Sequence, residues 1–300
     1  MRILTPLLLL FALTASCTPQ TGNAIVSEIS TAEMIVLPHD ASTAGGLKFE
    51  RVVALGNGTA EILVAMGLGS LVVGRDIASD ISELSEVPVV TNGHEISAEK
   101  VLQVEPDLVI VDSNSSPRSA IVQLERVGIR IVRVPEKYGL GGIKEKVDAI
   151  AAVLGDSARG DLLNKEIADA IGRIDDAQEE NLDVLFLYLR GSNGIFLVGG
   201  KGSGADALIT AAGAQDVGAT LYKNPFTPVN SEAILNLKPN RYLLMRAGLA
   251  SVGGIEAFRR LPGIDPSVPV ITVDDSLLLS FGPRTPDLIR RLSEALYDAR

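Results

Sequence analysis

Val52-Val53-Ala54-Leu55-Gly56-Asn57-Gly58-Thr59-Ala60-Glu61-Ile62-Leu63-Val64-Ala65-Met66-Gly67 is the stretch that decides the fold. Four apolar residues run into a glycine-rich turn, and apolar positions then recur at helical spacing until Gly67 stops them. That is one strand and one helix of a βα unit. A further strand is predicted at Leu71-Val72-Val73. After a loop, Ser97 caps a helix beginning at Ala98, and Pro106 precedes the strand Leu108-Val109-Ile110-Val111. A helix from Ala120 to Arg126, Gly128 and a strand from Ile129 to Val134 follow. Such alternation predicts a mostly parallel sheet.

The second half repeats the plan. Ala205-Asp206-Ala207-Leu208-Ile209 before Gly213 echoes Ala60-Glu61-Ile62-Leu63-Val64 before Gly67, and Ser231-Glu232-Ala233-Ile234-Leu235 before Pro239 echoes Ala98-Glu99-Lys100-Val101-Leu102 before Pro106. Phe258 to Val273 likewise echoes Val122 to Val134. The recurrence distance is about 130–145 residues, far beyond the 20–50 of solenoid repeats, so it marks two similar lobes. Between them, Ile143, Val147, Ile150, Ala151 and Leu154 share one helical face, and a second helix is expected from Asp156 to about Asp176. The expected fold is α/β: two Rossmann-like lobes with mostly parallel sheets, joined by a single long helix. A cleft between two such lobes, at the carboxyl ends of strands, is where a ligand binds.

Three hundred residues that are 46% hydrophobic suffice for two lobes. Aromatic residues make up only 4%, with no Trp, so the cores must be built from aliphatic side chains. A net charge of −10 speaks against nucleic acid as a partner. At the start, Met1-Arg2 and the apolar run Ile3 to Leu13, ending at Ala15-Ser16, read as an export signal. The sole cysteine, Cys17, follows directly, where a bacterial lipoprotein signal carries its acylated residue; Thr14 departs from the Leu usual in such signals. One cysteine allows no internal disulfide. The expected organisation is a lipoprotein signal over 1–17, a flexible tether over 18–47, an N-terminal lobe over 48–140, the inter-lobe helix over 141–155 and a C-terminal lobe over 156–300.

Enzyme chemistry finds little to work with. Only two histidines occur, His39 and His94, and no Ser stands in a nucleophile-elbow Gly-x-Ser-x-Gly sequence. Gly199-Gly200-Lys201-Gly202-Ser203-Gly204 lacks the spacing of a phosphate-binding loop and reads as a turn into the Ala205 helix. Zinc or manganese would need three or four converging ligands. His94 remains, in the loop Thr91-Asn92-Gly93-His94-Glu95, where it is either a surface residue or a ligand. In the second lobe, Tyr188 and Arg190 lie two apart on the strand Val184 to Arg190 and so share a face. A guanidinium beside a phenol favours its anion, a hard ligand suited to ferric iron; a core Tyr and a rim Arg fit the same pattern.

At these residues the chain resembles the haem ABC-transporter substrate-binding proteins, helix-linked (class III) members of the periplasmic binding proteins. The stretches that carry the resemblance are Val53 to Ile62, Gly93-His94-Glu95-Ile96-Ser97-Ala98-Glu99, Gly200 to Asp206 and Phe281-Gly282-Pro283-Arg284-Thr285. It implies a non-enzymatic protein that binds haem as transported ligand and presents it to a permease and its ATPase, outside the cytoplasm, anchored through Cys17, as a monomer. It implies His94 and Tyr188 as axial iron ligands, with Arg190 hydrogen-bonded to the phenolate, and Glu61 and Glu232 as exposed carboxylates that dock on the permease. Arg284 and Lys201 are candidate partners for propionates. The rival readings are a cobalamin or ferric-siderophore carrier of the same fold and, from a different class, an anchored α/β enzyme using the Gly-rich segment.

Overall fold

The computed structural model describes residues 26–38, 48–113, 115–174, 182–191 and 195–298. The expected signal segment, Cys17 and His39 lie outside the described residues. The chain enters as a short strand, β1 (Val26–Ile29), before the first βα unit of β2 (Val52–Ala54) and α1 (Thr59–Ala65). There follow β3 (Val72–Arg75), a two-residue hairpin of β4 (Thr91–Asn92) and β5 (Glu95–Ile96), α2 (Ala98–Gln103), β6 (Leu108–Val111), α3 (Arg118–Arg126) and β7 (Arg130–Arg133). Strands β3-β2-β6-β7 form a four-stranded sheet, parallel throughout. β6 is buried at all four positions, as expected of a strand covered on both faces.

Two helices follow between the lobes in sequence, α4 (Leu140–Leu154) and α5 (Ser157–Gly172), packed against each other. Gly155 in the left-handed region ends α4, and its N–H bonds back to Ala151 O at 3.0 Å. Asp156 caps α5 through Arg159 N. The helices pack closely because Gly160 has no side chain where one would lie 2.5 Å from the Ala151 methyl carbon.

The second lobe runs β8 (Asp183–Arg190), β9 (Ile195–Gly199), α6 (Ala205–Ala211), β10 (Gln215–Asp216), α7 (Val217–Leu221), β11 (Phe226–Val229), α8 (Ser231–Leu237), β12 (Arg241–Met245), α9 (Arg246–Ser251), α10 (Ile255–Arg259), β13 (Val270–Val273), α11 (Asp275–Ser280) and α12 (Thr285–Asp298). Its sheet has the order β1-β13-β12-β8-β9-β11, with β10 beside β8. β9 is antiparallel to both its neighbours. The molecule is therefore two α/β lobes with mostly parallel sheets, as the βα alternation predicted.

The expected tether is corrected in part. Val26 to Ile29 pair in parallel with Val270 to Val273, so this segment is an edge strand of the second lobe. It then crosses to the first lobe, where Leu37 N donates to Ala65 O at 2.8 Å. Ile29 and Leu37 are buried. The segment shows no period because it passes from one lobe to the other instead of repeating along either.

Candidate functional site

The topology singles out two strands. In the first sheet the chain leaves β2 on one side for β3 and then on the other for β6, so the order reverses between β2 and β6. A crevice opens at the carboxyl ends there. It is lined by Leu55, Gly56 and Asn57 after β2, Asp76 after β3, Asp112 and Ser115 after β6, and His94. In the second sheet β8 has β12 on one side and β9 on the other, and Tyr188 and Arg190 stand at its carboxyl end.

His94 sits in the turn between β4 and β5. Gly93, with φ of 57°, supplies the left-handed residue that a tight hairpin needs, and the imidazole is exposed at the crevice mouth. The crevice itself is small, about 130 Å³. Polar groups make the floor rigid: Gly56 N and Ser79 N donate to Asp76 at 2.7 and 2.8 Å, and Ser115 Oγ donates to Asp112 at 2.8 Å. Gly56, at φ of 101°, leaves space that a Cβ would lose, since it would lie 2.7 Å from an Asp112 oxygen. Burial holds the Asp76 carboxyl above the usual carboxylate range, with the Asp112 charge adding to the effect.

Tyr188 and Arg190 share a face of β8 as strand parity predicts. Arg190 Nε donates to the Tyr188 phenol oxygen at 2.8 Å, and the guanidinium carbon lies 5.2 Å from the ring centroid. Arg190 is exposed and Tyr188 half-buried. The phenol oxygen thus accepts one charge-assisted bond and keeps a lone pair for a further partner.

Between the two halves lies a polar joint that sequence reasoning missed. Lys146, fully buried on α4, donates to Asn57 O of the first lobe at 2.8 Å and to Ser280 O of the second at 3.1 Å, and lies 3.3 Å from Glu136. Burial raises the Glu136 carboxyl above its ordinary range, and the Lys146 charge opposes that rise. Gly58 meets Ser280 so closely that a Cβ would lie 2.5 Å from its carbonyl oxygen. The loops at the carboxyl ends of the two sheets are thereby fastened together.

Glu61 is corrected. Its side chain is 2% exposed and paired with Arg284, beneath the loop that follows α11, so it cannot meet a permease. Arg284, equally committed, is not free for a propionate. The helix-dipole argument describes position within α1 but not what covers it. Glu232, in the first turn of α8, is exposed, and so is Glu99, its equivalent in the internal repeat, in the first turn of α2. Both helices precede a parallel strand, which puts both first turns at the carboxyl ends of the sheets.

The Gly-rich segment is a turn, as its spacing suggested. Gly202 N and Gly204 N donate to the Asp206 carboxylate at 2.8 and 3.0 Å, so a side chain of the protein already fills the place of an anion. Lys201 is exposed on a shallow groove with Leu140, Asp206 and Asp216. Among the described residues, no group of three or more His, Cys, Asp or Glu side chains converges as a metal site, and no helix is long and apolar enough to cross a membrane.

A family model described as periplasmic binding protein matches residues 52–263. Among solved structures, the heme binding protein HmuT is similar at 28% identity with a TM-score of 0.80, over 91% of this chain and 97% of that one. Solved variants of that protein carry Ala in place of a His, a Tyr and an Arg, the Tyr standing two positions before the Arg. The periplasmic heme-binding protein RhuT from Roseiflexus sp. RS-1 is similar at 30% identity with a TM-score of 0.75, over 85% and 99%. In sequence, an uncharacterized ABC transporter substrate-binding lipoprotein, YvrC of Bacillus subtilis (strain 168), is 23% identical over 83% of this chain and 80% of its own. A vitamin B12-binding protein of Vibrio parahaemolyticus is 23% identical over 68% and 74%.

Proposed function

The chain belongs to the periplasmic binding protein family, and from that premise we propose that it captures haem between its lobes and delivers it to an ABC importer. The carrying observation is the bond from Arg190 Nε to the Tyr188 phenol oxygen at 2.8 Å. A phenolate held by a fixed cation is a hard anionic ligand for ferric iron, and His94 across the gap supplies an imidazole for the other face of the ring. The relatives named for heme binding are similar over most of both chains, and the His, Tyr and Arg substituted in one of them match the residue types and the Tyr-x-Arg spacing found here.

The iron is cargo and no reaction is performed on it. Binding is reversible: His94 and Tyr188 hold the metal, Arg190 donates its hydrogen bond to the phenol oxygen, and the joint at Lys146 keeps the lobes at a set distance. Glu99 and Glu232 form the carboxylate pair that meets the permease, and Cys17 is the lipid anchor on the outer side of the membrane. The named vitamin B12-binding relatives support a second reading, a cobalamin carrier, which would use the same cleft without the Tyr188 phenolate. Titration of the purified protein with hemin separates the two. A saturable Soret band that changes in both His94→Ala and Tyr188→Ala supports haem; cobalamin binding with no Soret shift would replace it.

A further inference from the structure

Aromatic side chains are scarce in this chain, and among the described residues Tyr138 and Phe226 rank as exposed. Phe226 stands on β11, two strands from β8, a lateral separation of roughly 10 Å. Its ring centroid nevertheless lies 5.3 Å from that of Tyr188, at an interplanar angle of 57°. The sheet register explains how. Phe226 pairs with Gly199 on β9, and Tyr188 pairs with Leu197 two positions away, so all four occupy one face. A side chain at Gly199 would rise on this same face and would collide with Phe186, a ring carbon of which lies 2.3 Å from where its Cβ would stand. With glycine there, Phe226 leans across β9 onto Tyr188 while 39% of its own surface stays open.

Resting on the haem reading, we propose that Phe226 is a positioning residue of the ligand site. One edge of its ring fixes the tilt of the Tyr188 ring, and its exposed face gives the macrocycle a flat apolar surface beside the coordinating oxygen. Arg190 and Phe226 thus constrain Tyr188 from two directions, one polar and one apolar. An aromatic contact of this kind adds to area burial, and its removal is expected to weaken hemin binding about tenfold.

The test is a hemin titration of wild type, Phe226→Ala, Phe226→Tyr and, as a surface control, Leu235→Ala, read by the Soret band and by the tyrosinate-to-iron charge-transfer band. The expected result is weaker binding and a shifted charge-transfer band in Phe226→Ala, recovery of both in Phe226→Tyr, and no change in Leu235→Ala. Thermal melts establish that each variant folds. A wild-type Soret band that depends on Tyr188 but is identical in Phe226→Ala overturns the role of Phe226 alone. Absence of any Soret band in wild type overturns the haem reading, and this inference falls with it.

Discussion

Replacing Lys146 with Met tests the joint between the lobes. The apolar stem survives and the charge is lost. Glu136, whose side chain is 1% exposed, would then be a buried carboxylate without its cation, and the carbonyls of Asn57 and Ser280 would lose their donor. Removing one partner of a buried pair costs about 3–5 kcal/mol. At roughly 2–4 °C per kcal/mol for a chain this long, the melting temperature should fall by roughly 6–20 °C. The deficit should also depend on pH. The folded-state pKa of Glu136 is already raised by burial, and without Lys146 it rises further. A carboxyl group with a raised folded pKa gives stability that is fully present below its unfolded value and lost as pH climbs through the folded one. The variant should therefore approach wild type near pH 4.5 and diverge toward neutral pH. In Lys146→Met/Glu136→Gln the uncompensated charge is gone, and most of the loss should return. Calorimetric melts from pH 4.5 to 8 measure all three proteins. A deficit that is flat with pH, or a double variant no better than the single, would refute the assignment of this joint.

Asp216, buried in the cap of α7 with its pKa pushed up to about 7, chiefly by burial, costs the fold stability as pH climbs from the ordinary carboxylate range through that value; Asp216→Asn should raise the melting temperature at pH 8 by far more than at pH 4.5. Arg190→Leu should keep the Soret band but weaken hemin binding by about tenfold or more, since a hydrogen bond to a charged group contributes about 1.5–3 kcal/mol; equal affinity in a titration would count against it. Glu99→Ala and Glu232→Ala should abolish hemin-dependent stimulation of the transporter's ATPase in proteoliposomes with hemin affinity unchanged, whereas Glu61→Gln should lower the melting temperature by several degrees instead. Truncation before residue 48 should cost several kcal/mol, because it removes β1 and the buried Ile29 and Leu37; a mere tether would leave the melting temperature where it was.

Most of the architecture was legible because βα units announce themselves locally. A strand, a glycine turn and an amphipathic helix are complete within the 16 residues from Val52 to Gly67, and the echo in the second half required no knowledge of tertiary contacts. Tyr188 and Arg190 were legible for the same reason: strand parity alone joins residues two apart. What escaped detection depended on distant chain. Glu61 looks like any first-turn glutamate until Arg284 covers it. Phe226 has meaning only through the register that sets it opposite Gly199. Lys146 did leave a trace, since it lies three residues after Ile143 and four before Ile150 and so on the apolar face of α4. A lysine in that place signals a buried charge with a partner, although its partner, Glu136, lies outside the helix.

The joint also bears on how cargo is chosen. If Lys146 holds the loops of both lobes at once, the cleft is set before a ligand arrives, and little binding energy is spent on closing it. A preset cleft on a shared fold cannot distinguish macrocycles by its architecture, because haem and cobalamin are both broad, flat rings around a metal. Discrimination must come from the few side chains that meet the metal and the ring face. A phenol oxygen held by a guanidinium favours a hard ferric centre that is open on both axial sides. Cobalamin carries its own lower axial ligand, so one of the two proposed ligands, His94 or Tyr188, would have nothing to bind. On this argument Tyr188→Phe should cost haem far more affinity than it costs cobalamin, and parallel titrations with the two ligands measure the ratio directly. An equal loss for both would mean that the tyrosine serves as an apolar wall and not as a ligand.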